Sequence, residues 1–144
     1  MRGPPRAHFG VLWKVQKNHL TVAAVMRATP AWCTVGQSAQ TVAAIMRDYG
    51  VHRVSVIEPE TGQLLGTVSE RDLCLGVVAD GRDPRNVPAQ DVMRREPPAC
   101  HPESELPTVR DLMLRERAHQ LPVVDAENRL VGTVFLADLL PRAG

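Results

Sequence analysis

The stretch Gly66-Thr67-Val68-Ser69-Glu70-Arg71-Asp72 holds the residues best suited to chemistry in this 144-residue chain. It runs from a β-branched segment into a helical pattern. Ser69 stands where a helix N-cap belongs, and Asp72 follows three positions later. That spacing predicts a capping pair: the Ser69 hydroxyl accepts the Asp72 N–H, and the carboxylate offsets the positive helix end. The same arrangement suits a ligand. Unpaired N–H groups at a helix start favour phosphate. A carboxylate fixed there accepts two hydrogen bonds from vicinal hydroxyls, as on a ribose. Both readings stand together, because Ser-x-x-acid is common as a plain cap.

The other constellations are weaker. Cys33 and Cys100 precede Thr34 and His101. A Cys-His pair invites a nucleophile, but neighbours on a strand point to opposite faces. Buried core thiols are the better expectation, and no catalytic residue is assigned. The three cysteines form an odd set without CxxC spacing, so neither a metal site nor a disulfide framework is implied. Met26, Met46, Met93 and Met113 fall at helical core positions and read as packing.

The elements that must position these groups occur twice. At an offset of 67, Val25-Met26-Arg27 lies over Val92-Met93-Arg94, Met46 over Met113 and His52 over His119. After a one-residue deletion, Gly66-Thr67-Val68 lies over Gly132-Thr133-Val134 and Asp72-Leu73 over Asp138-Leu139. Each unit reads as a short helix (20–28 in the first), an amphipathic helix (38–49, then 105–117), two strands joined by a turn, and a last helix. The first unit's strands span 51–58 and 63–68, and its last helix runs to about 79. The second unit's strands span 121–125 and 130–135, and Pro141 cuts its last helix short. We expect residues 1–19 to be an extension, 20–79 the first unit, 80–86 a linker and 87–144 the second unit. A unit of about 60 residues buries too little surface alone, so the hairpins should pack face to face, leaving clefts at the junction.

Taken together, this order resembles a pair of CBS domains (cystathionine β-synthase domains), also called a Bateman module. The resemblance rests on a helix, a hairpin carrying His52-Arg53-Val54-Ser55-Val56, and Gly66-x-x-Ser69-x-x-Asp72, repeated as His119-Gln120-Leu121-Pro122-Val123 and Gly132 to Asp138. It implies an α+β fold of pseudo-twofold symmetry, with two small sheets packed face to face and flanked by helices. It also implies non-catalytic, regulatory binding of an adenosine-containing ligand: AMP or ATP first, with ADP, S-adenosylmethionine or NAD as relatives. By the same resemblance Ser69 faces phosphate, Asp72 holds ribose hydroxyls, Thr34 lines that cleft, and His52 and Arg53 reach phosphates. An Arg fork suits phosphate oxygens in any case; Val54 and Val56 pack the core. The second copy departs from the pattern. Phe135 replaces the Ser69 hydroxyl and Gln120 replaces Arg53, while His119 and Asp138 remain, so the first site should be the better one. The alternative is an interaction scaffold whose sites have degenerated. Related modules pair into dimers, so a homodimer through helices 38–49 and 105–117 is expected, with a regulated protein of unknown identity as partner.

Lys+Arg is 17 against Asp+Glu 16, a net charge of +1, which leaves no electrostatic footprint for nucleic acid. Hydrophobic residues are 44% and charged residues 23% of the chain, excluding wholesale disorder. No run approaches a bilayer span, and the apolar stretch 9–13 is too short for a signal sequence. No membrane contact and a cytoplasmic location are expected. Phe9 and Trp13 on the extension have two readings, an intramolecular cover or a partner surface.

Overall fold

The computed structural model describes residues 20–140; the expectations for Phe9, Trp13 and the rest of the extension lie outside them. The amphipathic pattern of each unit becomes a helix, α1 at Ala39–Tyr49 and α4 at Leu106–Glu116. Ser38 caps α1 by accepting the Thr41 N–H. Gly50 ends it at φ 65°, the left-handed region that glycine enters freely. At the matching end of α4 stands Arg117, at φ 54°.

The β-branched runs form the strands. Strands β1 (Trp32–Cys33), β2 (Arg53–Ile57), β3 (Leu64–Ser69) and β4 (Arg94–Arg95) make one sheet in that order. Strands β5 (Gln120–Val124) and β6 (Leu130–Phe135) make the second. The second sheet repeats the first pattern with single bridges: Cys100 beside Val123 stands for β1, and Arg27 beside Thr133 stands for β4. All five residues of β5 are buried, so both of its faces are covered. The hairpin tips join through Leu64 N–H to Asn128 O and Leu130 N–H to Gly62 O, both 2.9 Å. The fold is the expected α+β pair of small sheets.

Two local expectations change. Residues 20–28 form only a 3-10 turn at Val22–Ala24. The last helix of the first unit is α2, Glu70–Leu73, which widens into a π turn over Cys74–Val78. The short helix that opens the second unit is α3 (Ala89–Val92), ahead of α4.

Each unit's opening segment packs on the other unit. Val22, with Leu20, Val25 and Met26, joins the core of Leu106, Val109, Met113 and Leu121. Ala89, Val92 and Met93 join the core of Val42, Met46, Val54 and Val68. The cores are therefore exchanged, and neither is filled by one sequence repeat alone.

That exchange explains the glycine of Gly66-x-x-Ser69. Its φ is not in the left-handed region. Strand β4, from the other unit, pairs so closely there that a Cβ would stand 2.6 Å from the Arg94 carbonyl oxygen. Gly132 is the same case, 2.8 Å from the Arg27 carbonyl oxygen. Only hydrogen fits at these crossings.

Candidate functional site

Strand β3 ends at Ser69, and the backbone turns there into α2. Ser69 Oγ accepts the Asp72 N–H at 3.1 Å, and Asp72 Oδ2 accepts the Ser69 N–H at 2.8 Å. This is a complete capping box. It occupies one of the carboxylate's roughly four lone-pair positions. Among the described residues Oδ1 has no hydrogen-bond partner, and Asp72 is half-buried. The cap fixes the carboxylate without using it up.

Arg53 sits opposite Ser69 in the β2–β3 ladder. It is half-buried, and no carboxylate of the described residues lies within ion-pair distance of it. Burial pulls its guanidinium below the ordinary value; Asp72 and Glu116 work against that, and Arg94 with it. Arg94 enters from β4, beside Thr67, and is held by Glu116 of α4 at 3.2 Å. The site thus holds one open carboxylate, one unpaired Arg and a second Arg on a tether. Arg94 and Glu116 were not picked out from the sequence as site residues; the recurrence of Val-Met-Arg in both units was the signal that pointed to Arg94.

Two further expected residues make contacts of their own. Thr34 is not brought to Ser69 and Asp72. Parallel pairing sets Cys33, the last residue of β1, against Val56, so Thr34 follows toward the Ile57 end of β2, away from Arg53. Its N–H bonds Gln37 Oε1 instead. His52 precedes the strand, and its Nδ1 lies 2.9 Å from Glu70 Oε1. It lines a groove of about 550 Å3 between α1 and α2, with Met46, Val51, Leu73, Cys74 and Val78. That groove lies within the first unit, and Asp72 does not line it.

The second copy of the site is built differently. Phe135 makes no cap hydrogen bond, and a three-residue 3-10 turn, Leu136–Asp138, replaces the helix. Asp138 Oδ2 lies 3.7 Å from Arg27 Nη2, and the same guanidinium stands 4.4 Å from the Phe135 ring centre. His119 is exposed, and its carbonyl accepts the Leu136 N–H. Gln120, at the Arg53 position, is buried and turned to the junction. Its Oε1 accepts the His52 N–H at 3.3 Å, and its Nε2 donates to Arg53 O at 3.2 Å. The sequence shows there only a lost charge; the structure shows a tie between the units.

Cys33 and Cys100 are buried, as expected for core thiols. Burial pushes their pKa values up to about 11 and about 12. Cys100 Sγ contacts Pro122 O, and His101 Nδ1 bonds Val124 O, so the two do not pair. Among the described residues no three His, Cys, Asp or Glu side chains converge as metal ligands. No described helix is long and apolar enough to cross a membrane.

The sequence profile of the CBS domain matches residues 22–78 and 89–142. The chain belongs to the CBS domain family. The CBS domain-containing protein YhcV of Bacillus subtilis is 34% identical over 119 residues, covering 83% of this chain and 82% of that protein. Among solved structures, the CBS domain pair of MJ0100, in complex with 5'-methylthioadenosine and S-adenosyl-L-methionine, superposes with a TM-score of 0.73. It is 20% identical and covers 83% of this chain and 91% of that one. CBSX2 in complex with AMP gives 0.69 at 21% identity, covering 83% and 93%. At these identities the structures establish the CBS-pair fold.

Proposed function

We propose that this CBS pair is a non-catalytic regulatory module that binds an adenosine-containing nucleotide, AMP or ATP, at the site of its first unit. Asp72 takes the ribose hydroxyls through its open oxygens. Ser69 faces the phosphate, and Arg53 and Arg94 supply its counter-charge. One observation carries the reading: Arg53 is half-buried beside Asp72 and Arg94 without an ion-pair partner. A guanidinium partly withdrawn from water with no carboxylate at ion-pair distance is costly, and a phosphate offsets that cost. MJ0100 and CBSX2, whose structures hold adenosine ligands, support the ligand class. The second site, with His119 and Asp138, is the weaker one. Two chains pair through α1 and α4, and a partner protein reads the change in packing on binding.

Micromolar binding needs about 8 kcal/mol, and charge-assisted hydrogen bonds supply about 1.5–3 kcal/mol each. Two at Asp72 and one or two at phosphate reach it with the base buried. Asp72→Ala is expected to weaken AMP and ATP by at least about tenfold, some 1.4 kcal/mol, in titration calorimetry. Unchanged affinity removes Asp72 from the site. Excess nucleotide, at about 100 times its dissociation constant, should stabilise the protein by about 2.7 kcal/mol. No shift with any adenylate favours the scaffold reading, to which the apolar groove beside α1 already lends an interaction surface.

A further inference from the structure

We infer that the second site is closed by the protein's own Arg27, and that Glu116 keeps the first site free of the same closure. The inference rests on the nucleotide reading of Asp72.

Arg27 and Arg94 hold the same repeat position. Each enters on a segment from the other unit that pairs beside the motif strand: Arg27 arrives 3.7 Å from Asp138, and Arg94 arrives close enough to Arg53 to oppose its charge. Their fates differ. Arg94 is drawn to Glu116 at 3.2 Å, and no ion pair joins it to Asp72. Arg27 lies over the Phe135 ring at 4.4 Å, with Asp138 at 3.7 Å. A planar cation on an aromatic face and beside a carboxylate is favourable on both counts.

Two residue exchanges between the repeats account for the difference. At the Glu116 position the first unit has Tyr49, which carries no charge to hold Arg27 back. At the Arg53 position the second unit has Gln120, which faces the junction. Gln120 therefore brings no charge to oppose Arg27, whereas Arg53 opposes Arg94. Arg27 thus covers the Oδ2 side of Asp138 and the Phe135 face, and a nucleoside that takes that side of the carboxylate must displace it from both.

The contact is open to water, so the closure is modest: it should weaken the second site by about fivefold to tenfold. The test uses AMP in titration calorimetry on the full chain. The background is Asp72→Asn, which lowers first-site binding yet keeps an oxygen to accept the Ser69 N–H. Adding Arg27→Ala should strengthen the remaining binding about fivefold or more. Arg27→Lys, which keeps the charge and loses the flat fork, should fall between. Equal affinities with and without Arg27 overturn the inference. Weaker binding without Arg27 overturns it too, by making Arg27 a phosphate ligand. Absence of AMP binding to the wild-type chain, with binding restored by Arg27→Ala in the Asp72→Asn background, overturns only the first-site reading and supports the closure.

Discussion

Asp72 shows how one side chain can cap a helix and still keep a carboxylate oxygen open. Its cap to Ser69 was legible from three-residue spacing, because capping is local and the chain alone sets it. Its neighbours were not. Arg53 meets Arg94 and Glu116 across the unit boundary, and no periodicity reports which distant side chains converge. Thr34 shows a related gap: a strand position tells which face a residue takes, not its level along the neighbouring strand. The thiols give a direct check at this scale. Cys33 and Cys100 are buried with raised pKa values, whereas Cys74 is exposed. An Ellman titration of the native chain at pH 8 should show one fast thiol, with the other two appearing on denaturation. The pH dependence follows from the same shifts. Unfolded thiols ionise near 9.0, and the buried ones near 11 and 12. Their contribution to stability is complete below pH 9 and is lost as pH rises through 11 to 12. Melting temperature across pH 8–11 should fall in the wild type more than in a Cys33→Ala, Cys100→Ala variant.

At the level of elements, the repeat located both long helices and both hairpins to within about two residues, since their amphipathic and β-branched patterns are strong. It overstated the outer pieces. The segment 20–28 has an apolar face, yet that face is spent on another unit's core, where a 3-10 turn suffices. The last helix of the first unit opens into a π turn where Gly76 meets Val92; a Cβ there would stand 2.8 Å from Val92 Cγ1. The two helix ends at Gly50 and Arg117 offer a test. Both are left-handed, and a side chain in that region costs about 1–2 kcal/mol. Arg117→Gly should stabilise the protein by about 1 kcal/mol in urea unfolding, less the entropy glycine adds to the unfolded chain. Destabilisation would mean that the Arg117 side chain holds a contact worth more than its strain.

The whole molecule is less divisible than its two sequence repeats imply. The repeat and the family profile are both contiguous in sequence, but each core borrows apolar residues from the other unit. Sequence alone could not show the loan: an apolar face specifies burial, not the partner. Fragments cut between the repeats, 20–79 and 87–144, would each lack part of a core. Each should give a weak far-UV circular dichroism signal alone, and mixing the two should restore it. A cooperatively melting 87–144 fragment would show that Val22 and its neighbours are dispensable. The Gln120 tie to His52 and Arg53 makes the same point: the strand that carries Arg53 is braced from the second unit.

Val22 lies in a notch formed by Leu106, Val109 and Leu121, and nothing about that notch requires a guest from the same polypeptide. The same residues of a neighbouring molecule carry the side chains that those contacts need. Reciprocal trading of arms between two molecules therefore costs little beyond translational freedom. Concentrated or refolded preparations would accumulate such interlocked pairs, each carrying complete cores assembled from two chains.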